Sequence, residues 1–168
     1  AQEQATQAGW QRGIDEDLVR NRAMPLMQLV RGEGSWVWDS EGNRYLDFLS
    51  GIAVLALGHA HPVFVEAVAS QAATLTHVSN YFSTPPQIAL ARTIKRLAGT
   101  GPAGRVYFCN SGTEANEAAF KLARLHNSGG TRTKILTLNK SFHGRTMGAL
   151  ALTGQPALHE PFAPMVPG

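Results

Sequence analysis

The sequence predicts an α/β chain whose second half is a mostly parallel sheet covered by helices, and three observations carry that expectation. An aromatic and β-branched run, RVYFC at 105–109, passes almost directly into a helical stretch from about 113 to 126. A second apolar run, KILTL at 134–138, follows the glycine-containing turn NSGGT and leads to another helical stretch from about Arg145. Both runs are nearly continuously apolar rather than alternating, as in strands covered on both faces, and strand–helix–strand order implies parallel pairing.

The elements before this core follow from local patterning. Residues 1–13 are polar and expected to fray, and a short helix is expected around Asp15 to Arg22, ended by Pro25. In GSWVWDSEGNRYLDF two aromatic and β-branched runs flank a turn rich in Asp, Gly and Asn, which predicts a β-hairpin. Trp36 and Trp38 are two apart and share one face, so that face is expected to be heavily apolar. From Pro62 the period changes: Val63, Val65, Ala67, Val68, Ala72 and Leu75 suit an amphipathic helix begun by a proline. A second helix is expected from Pro86 to Leu97, before Gly99, Gly101, Pro102 and Gly104 break the chain. Residues 1–60 are thus assigned to an arm and a smaller domain portion, and 61–168 to an incomplete large domain.

Composition narrows the function. With 43% hydrophobic and 16% charged residues, the 168-residue chain has an ordinary globular balance. Its net charge of +3 comes from scattered basic residues, which argues against a nucleic-acid-binding stripe. The single cysteine, Cys109, rules out an intrachain disulfide, suits a reducing compartment and is expected to be buried. The longest apolar run, GIAVLALG, is far short of the roughly 20 residues of a membrane span, and the start lacks the features of a signal peptide. A cytoplasmic protein is the expectation.

The strand-to-helix corner CNSGTEA holds the strongest candidate site. The first amides of a helix lack partners within it and face the positive end of its dipole, so Gly112 and Thr113 could present N–H donors to a phosphate, with a Ser111 or Thr113 hydroxyl beside them. The alternative is simple capping by Ser111 or Thr113, with Glu114 and Glu117 favourably sited in the first turns. No GK dipeptide occurs, which excludes a Walker-type nucleotide loop, and GEGSWV lacks the third glycine of a dinucleotide fingerprint. The stretch KSFHGRTMGALALTGQP offers Phe142 to stack on a flat ring, His143 as a polar edge and Arg145 as a carboxylate fork, although each also has an ordinary structural reading. His59 and His61 have the spacing of a metal pair but no acidic or cysteine companion near in sequence, so no metal site is expected. Ser141 lacks the G-x-S-x-G elbow of a hydrolase.

Taken together, FCNSGTEANEAAFKLAR and SFHGRTMGALALTGQP resemble the N-terminal part of class III (subgroup II) pyridoxal-phosphate aminotransferases, closest to the acetylornithine aminotransferase group. YLDFLSGIAVLALGHAHPVFVEAV and LTHVSNYFSTPPQIALA fit the same family in the same order, so the resemblance spans about residues 18–168. It implies the fold-type-I architecture, with an incomplete large domain preceded by a helix and hairpin of the small domain, and homodimers with sites at the interface. It also implies pyridoxal 5'-phosphate as cofactor, with its phosphate received by Ser111, Gly112 and Thr113, its ring stacked on Phe142, and a substrate carboxylate held by Arg145. Asn80 and Tyr81 fall in the segment that approaches the substrate. One departure is RNRAMP at 20–25, where many relatives carry an aromatic residue after the Asn.

The implied reaction moves an amino group from acetylornithine, or a related ω-amino acid such as ornithine or 4-aminobutyrate, to 2-oxoglutarate. It requires a Schiff-base lysine and an acidic partner for the pyridine nitrogen. The resemblance puts that lysine much farther along the chain than Lys95, Lys121, Lys134 or Lys140, and no aspartate follows Asp47. The expectation is that this chain has no catalytic lysine, is inactive alone as a fragment, a truncated gene product or one part of a split enzyme, and associates through uncovered apolar faces. A non-catalytic phosphate-binding or interaction module is the alternative.

Overall fold

The computed structural model describes residues 7–126 and 131–168. The expected frayed start falls partly, and the NSGGT turn almost wholly, outside the described residues. The chain divides into two compact units, Ala1–Phe82 and Ser83–Gly168. That division falls after the helix at Pro62–Thr74, whereas the sequence reading draws its boundary between residues 60 and 61.

In the first unit a helix spans Gln7–Asp17, earlier than the expected Asp15 to Arg22. The shift has an anchor in Trp10, which is buried within an otherwise polar stretch. Beyond the helix, the Arg20 guanidinium returns to the Asp15 carboxylate.

The sheet that follows has three antiparallel strands in the order β1 (Leu29–Glu33), β2 (Trp36–Asp39), β3 (Arg44–Leu46). Strands β2 and β3 are the expected hairpin, with Val37 opposite Tyr45. Strand β1 escaped the sequence reading because LVRGE contains a glycine and two charges. It pairs with β2 through a two-residue link whose Gly34 has φ +56°.

The face carrying Trp36 and Trp38 is not the buried one: Trp36 is 38% exposed, while Val37 on the opposite face is 6% exposed. Each indole is roofed by a guanidinium, Arg44 at 4.3 Å from the Trp36 ring centre and Arg31 at 4.3 Å from that of Trp38. The quadrupole of a large aromatic attracts a cation, so the apolar face is covered by arginines of this sheet.

Beyond β3, Asp47 directs the chain. Its carboxylate accepts the amides of Leu49 (2.9 Å) and Ser50 (2.8 Å) and pairs with His59 Nε2 at 2.7 Å. A left-handed turn follows at Ser50, Gly51, Ile52 and Ala53, with φ of 47°, 62°, 68° and 62°. His59 also makes a two-bond bridge with Gly34, and a Cβ on Gly58 would lie 2.7 Å from the Gly34 carbonyl oxygen. The helix Pro62–Thr74 then begins with its proline in the first turn, as expected.

The second unit begins with the helix Pro85–Leu97 and contains the helices Gly112–His126 and Met147–Leu152, a turn of helix at Pro156–His159 and a 3-10 turn at Glu160–Phe162. Its packed centre comprises Phe120, Ala149, Leu150 and Thr153.

The expected strands at 105–109 and 134–138 belong to no ladder, and among the described residues the sheet is antiparallel throughout. Leu136 is 95% exposed. A parallel pair is stabilised only when non-adjacent segments lie side by side, and these two runs do not pair with each other. Their apolar character asks for neighbours that the described residues do not supply. Among the described residues, no helix is long and apolar enough to cross a membrane.

Candidate functional site

The candidate site lies wholly in the second unit, where the helix Gly112–His126 meets the loop 139–146. Ser111 caps this helix. Its hydroxyl accepts the Glu114 amide at 3.3 Å and donates to Glu114 Oε2 at 2.9 Å, while Asn110 Nδ2 donates to Glu114 Oε1 at 3.3 Å. Ser111 and Glu114 stand at the spacing of a capping box. The Ser111 hydroxyl, followed by the Asn110 side chain, holds the Glu114 carboxyl below its usual pKa.

Thr113 is engaged inward as well. Its Oγ1 accepts the amides of Arg145 (3.2 Å) and Thr146 (3.3 Å) and shares a proton with Thr146 Oγ1 at 2.9 Å. The capping reading of the sequence thus holds for Ser111, whereas the Thr113 hydroxyl ties the loop at Arg145 and Thr146 to the helix. Gly112 differs: a Cβ there would meet nothing within 4 Å, so space stands open over the first turn. Among the described residues, the amides of Gly112 and Thr113 take no part in the bonds above.

The loop carries the other two candidates to this corner. Arg145 reaches it through its backbone, and its guanidinium carbon lies 5.6 Å from the centre of the Phe142 ring. Phe142 is 58% exposed, leaving a ring face available to a planar ligand. Thus Gly112, Thr113, Phe142 and Arg145 belong to one surface, with Ser111 at its edge. Asn80 and Tyr81 belong to the other unit, and Tyr81 is 92% exposed.

Three further residues hold this surface together; the sequence reading singled out only Glu117, as an acid in the first turns of the helix, and passed over Asn116 and Thr146. Asn116 donates through Nδ2 to the His143 carbonyl at 2.6 Å. Glu117 Oε1 accepts the amides of Gly148 (2.7 Å) and Ala149 (3.1 Å), capping the next helix. The Thr146 hydroxyl, ahead of these amides, draws the Glu117 carboxyl below its usual pKa against the opposing effect of burial. Thr113, Asn116, Glu117 and buried Phe120 fall at i, i+3, i+4 and i+7, a single helical face. That spacing of polar residues leading into a core aromatic was the available signal.

The loop can come this close only at glycines. Gly144 has φ +136°, and a Cβ there would overlap Thr113 Oγ1; one on Gly148 would overlap the Glu117 carboxylate.

Other sequence candidates take different places. Cys109 is exposed rather than buried, its Sγ lying 3.3 Å from the Ser111 carbonyl oxygen, because the run that was to bury it has no flanking strand. His59 has an acidic companion after all, Asp47, brought to it by the fold across twelve residues of chain. Lys140 is a turn residue with φ +62° whose amide donates to the Gly154 carbonyl at 2.7 Å. His143 Nδ1 lies 3.4 Å from Ser141 Oγ, and its amide donates to Thr153 Oγ1.

Comparison with known proteins agrees with the motifs that form this surface. The family model for class-III aminotransferases matches residues 18–168. The chain is 55% identical over 148 residues to the acetylornithine aminotransferase of Streptomyces coelicolor, an alignment covering 88% of this chain and 35% of that protein. Among solved structures, the ornithine aminotransferase of Toxoplasma gondii, whose active site is partly occupied by PLP, superposes with a TM-score of 0.85. It is 28% identical, with 98% of this chain and 39% of that one covered. An (S)-enantioselective ω-transaminase from Thermomicrobium roseum superposes with a TM-score of 0.83 at 37% identity, covering 97% and 39%. The chain spans about a third of the length of the curated relatives it matches. Its unpaired segments at 105–109 and 134–138 thus sit within a fold-type-I aminotransferase framework. With its model match running from residue 18 to residue 168, the chain belongs to the class-III aminotransferase family.

Proposed function

We propose that the second unit forms part of the coenzyme site of a pyridoxal-phosphate aminotransferase. The proposed enzyme transfers an amino group from acetylornithine, or a related ω-amino acid, to 2-oxoglutarate, in arginine biosynthesis, as a cytoplasmic homodimer. The observation that carries this reading is the open helix start at Gly112, with Phe142 and Arg145 on a loop bonded to the neighbouring Thr113 at 3.2 Å. Because the Ser111 and Thr113 hydroxyls are committed to the fold, the phosphate is received chiefly by the amides of Gly112 and Thr113 and by the helix dipole. Phe142 offers its exposed ring face to the pyridine ring. Arg145 grips a substrate carboxylate in bidentate fashion.

When bound, pyridoxal phosphate supplies the electron sink of the reaction. This chain's residues hold the anion and orient the ring. The ornithine reading has support in the superposition on the Toxoplasma gondii enzyme, and the acetylornithine reading in the higher identity to the Streptomyces coelicolor one.

None of Lys95, Lys121, Lys134 or Lys140 is the covalent anchor in this reading. Lys95, for instance, is turned to the Pro102 carbonyl at 3.1 Å. Titration with pyridoxal phosphate, followed by borohydride reduction and peptide mapping, tests both parts. Saturable binding without a fixed adduct on these four lysines is the expected result. A stoichiometric adduct on one of them contradicts the lysine assignment, and absence of binding supports the non-catalytic module instead.

A further inference from the structure

Glu117 is the one carboxylate on the inner face of the helix Gly112–His126, and everything it touches lies on the strip that carries Phe142 and Arg145. Its Oε1 gathers the amides of Gly148 and Ala149. Thr146 Oγ1 lies 2.9 Å from Thr113 Oγ1. Proton counting gives this pair a direction. Thr113 Oγ1 already accepts two amide protons, from Arg145 and Thr146, so its own proton goes to Thr146 Oγ1. An ionised carboxylate accepts only, which suits Glu117 to the two amides that converge on its Oε1.

The consequence reaches the candidate anion site. With its hydroxyl proton drawn inward and its lone pairs filled, Thr113 turns no lone pair outward, so an incoming phosphate oxygen meets amides rather than a competing acceptor. The same bonds fix residues 143–149 against the helix, with Asn116 bonding the His143 carbonyl at the other end. Close approach at both ends depends on glycine, since side chains at 144 and 148 would overlap Thr113 and Glu117 respectively.

We propose that Glu117 is a positioning residue for the coenzyme site: through the amides of Gly148 and Ala149 it holds the Phe142–Arg145 strip in register with the helix start. This rests on the coenzyme reading above and adds a residue that touches neither the phosphate nor the ring.

The test compares the full chain with its Glu117→Ala and Glu117→Gln variants. Three quantities are read: pyridoxal phosphate affinity by equilibrium dialysis, amide hydrogen exchange at 145–149, and the spectrum of the bound coenzyme. Glu117→Ala leaves two amides without their acceptor. It is expected to weaken binding about tenfold, to speed exchange at 145–149 about tenfold and to shift the bound spectrum. Glu117→Gln keeps a carbonyl acceptor of the same reach and is expected to restore affinity to within about threefold of the parent.

Faster exchange in Glu117→Ala with unchanged affinity and spectrum reduces the residue to a structural brace and overturns the proposal. If the alanine variant does not fold, the glutamine variant decides. A small affinity loss with faster exchange at Gly148 and Ala149 supports the proposal, and no change in either overturns it. A parent chain that shows no saturable binding overturns the coenzyme reading and this inference together, which separates that failure from the others.

Discussion

Two regions, one in each unit, solve the same problem with a single carboxylate, and they differ in how far along the chain it reaches. In the hairpin turn of the first unit, buried Asp39 accepts the amides of Glu41 (2.9 Å) and Asn43 (2.8 Å), the Asn43 side chain (3.0 Å) and the Tyr45 hydroxyl (2.8 Å). All its partners lie within six residues. In the second unit, Glu117 accepts amides 31 and 32 residues away. The first arrangement forms as soon as the turn forms. The second requires that a loop be closed before the carboxylate has anything to bind, and that closure costs chain entropy. Local order in the hairpin thus stands on its own, whereas order around Gly112 and Arg145 depends on the close fit of two segments.

The largest effect that sharpens this contrast comes from filling the contact made at a glycine. Gly144→Ala introduces a Cβ where Thr113 Oγ1 stands, at a positive φ, and is expected to cost the second unit about 2–4 kcal/mol. All three tryptophans lie in the first unit, so denaturation followed by Trp fluorescence is expected to change little while exchange protection at 113–117 is lost. Gly58→Ala is the mirror experiment. Its Cβ would lie 2.7 Å from the Gly34 oxygen, and the loss should register in Trp fluorescence and spare residues 113–117. If either substitution melts both regions equally, the two are not independent and the comparison fails.

Acid gives the next effect. The Asp39 carboxyl is pushed up by burial but is carried below its usual value by the Asn43 and Tyr45 side chains and the turn amides together. Asp47 is lowered first by His59, and Glu117 first by Thr146. A carboxyl with a folded pKa below its unfolded one contributes stability that is fully present above the unfolded value. That stability is lost as pH falls through the folded value. Both regions are therefore expected to hold at pH 6 and to loosen below about pH 4. Glu117→Gln should remove its share of that dependence from exchange at 145–149 and leave the dependence at Glu41 and Asn43 intact. An unaltered acid profile at 145–149 in that variant contradicts the assignment.

The smallest effect on stability is expected at the corner itself. Gly112→Ala adds a methyl to open space, so melting should move by no more than about 0.5 kcal/mol. Pyridoxal phosphate affinity should nevertheless fall about tenfold as the methyl crowds the amides. Undiminished affinity would move the phosphate away from Gly112.

The part of this molecule that was legible beforehand follows the same division. The hairpin, the proline-started helices and the helix at 112–126 were readable because periodicity, turn residues and capping act within one or two turns of chain. Within the capping box, S-G-T-E announced the Ser111–Glu114 exchange directly. Parity told that Trp36 and Trp38 share an apolar face, but not that Arg31 and Arg44 of the flanking strands cover it. The runs at 105–109 and 134–138 were read as strands from their apolar content, which records what such segments need rather than what lies beside them.

By itself the sequence determined the hairpin, the proline-started helices and the helix at 112–126 and, through long motifs in consecutive order, the family. Both are encoded in neighbouring residues whose interactions need no long loop to be closed. Only the tertiary structure decided that Thr113 looks inward, that Gly112 stays open, that Cys109 is exposed, and that Asp47 meets His59 while Glu117 meets Gly148. Those outcomes depend on which distant groups compete for the same few donors and acceptors. A hydrogen bond between segments more than thirty residues apart shows in the sequence at most as a polar helical face, which does not name the distant groups that it will meet.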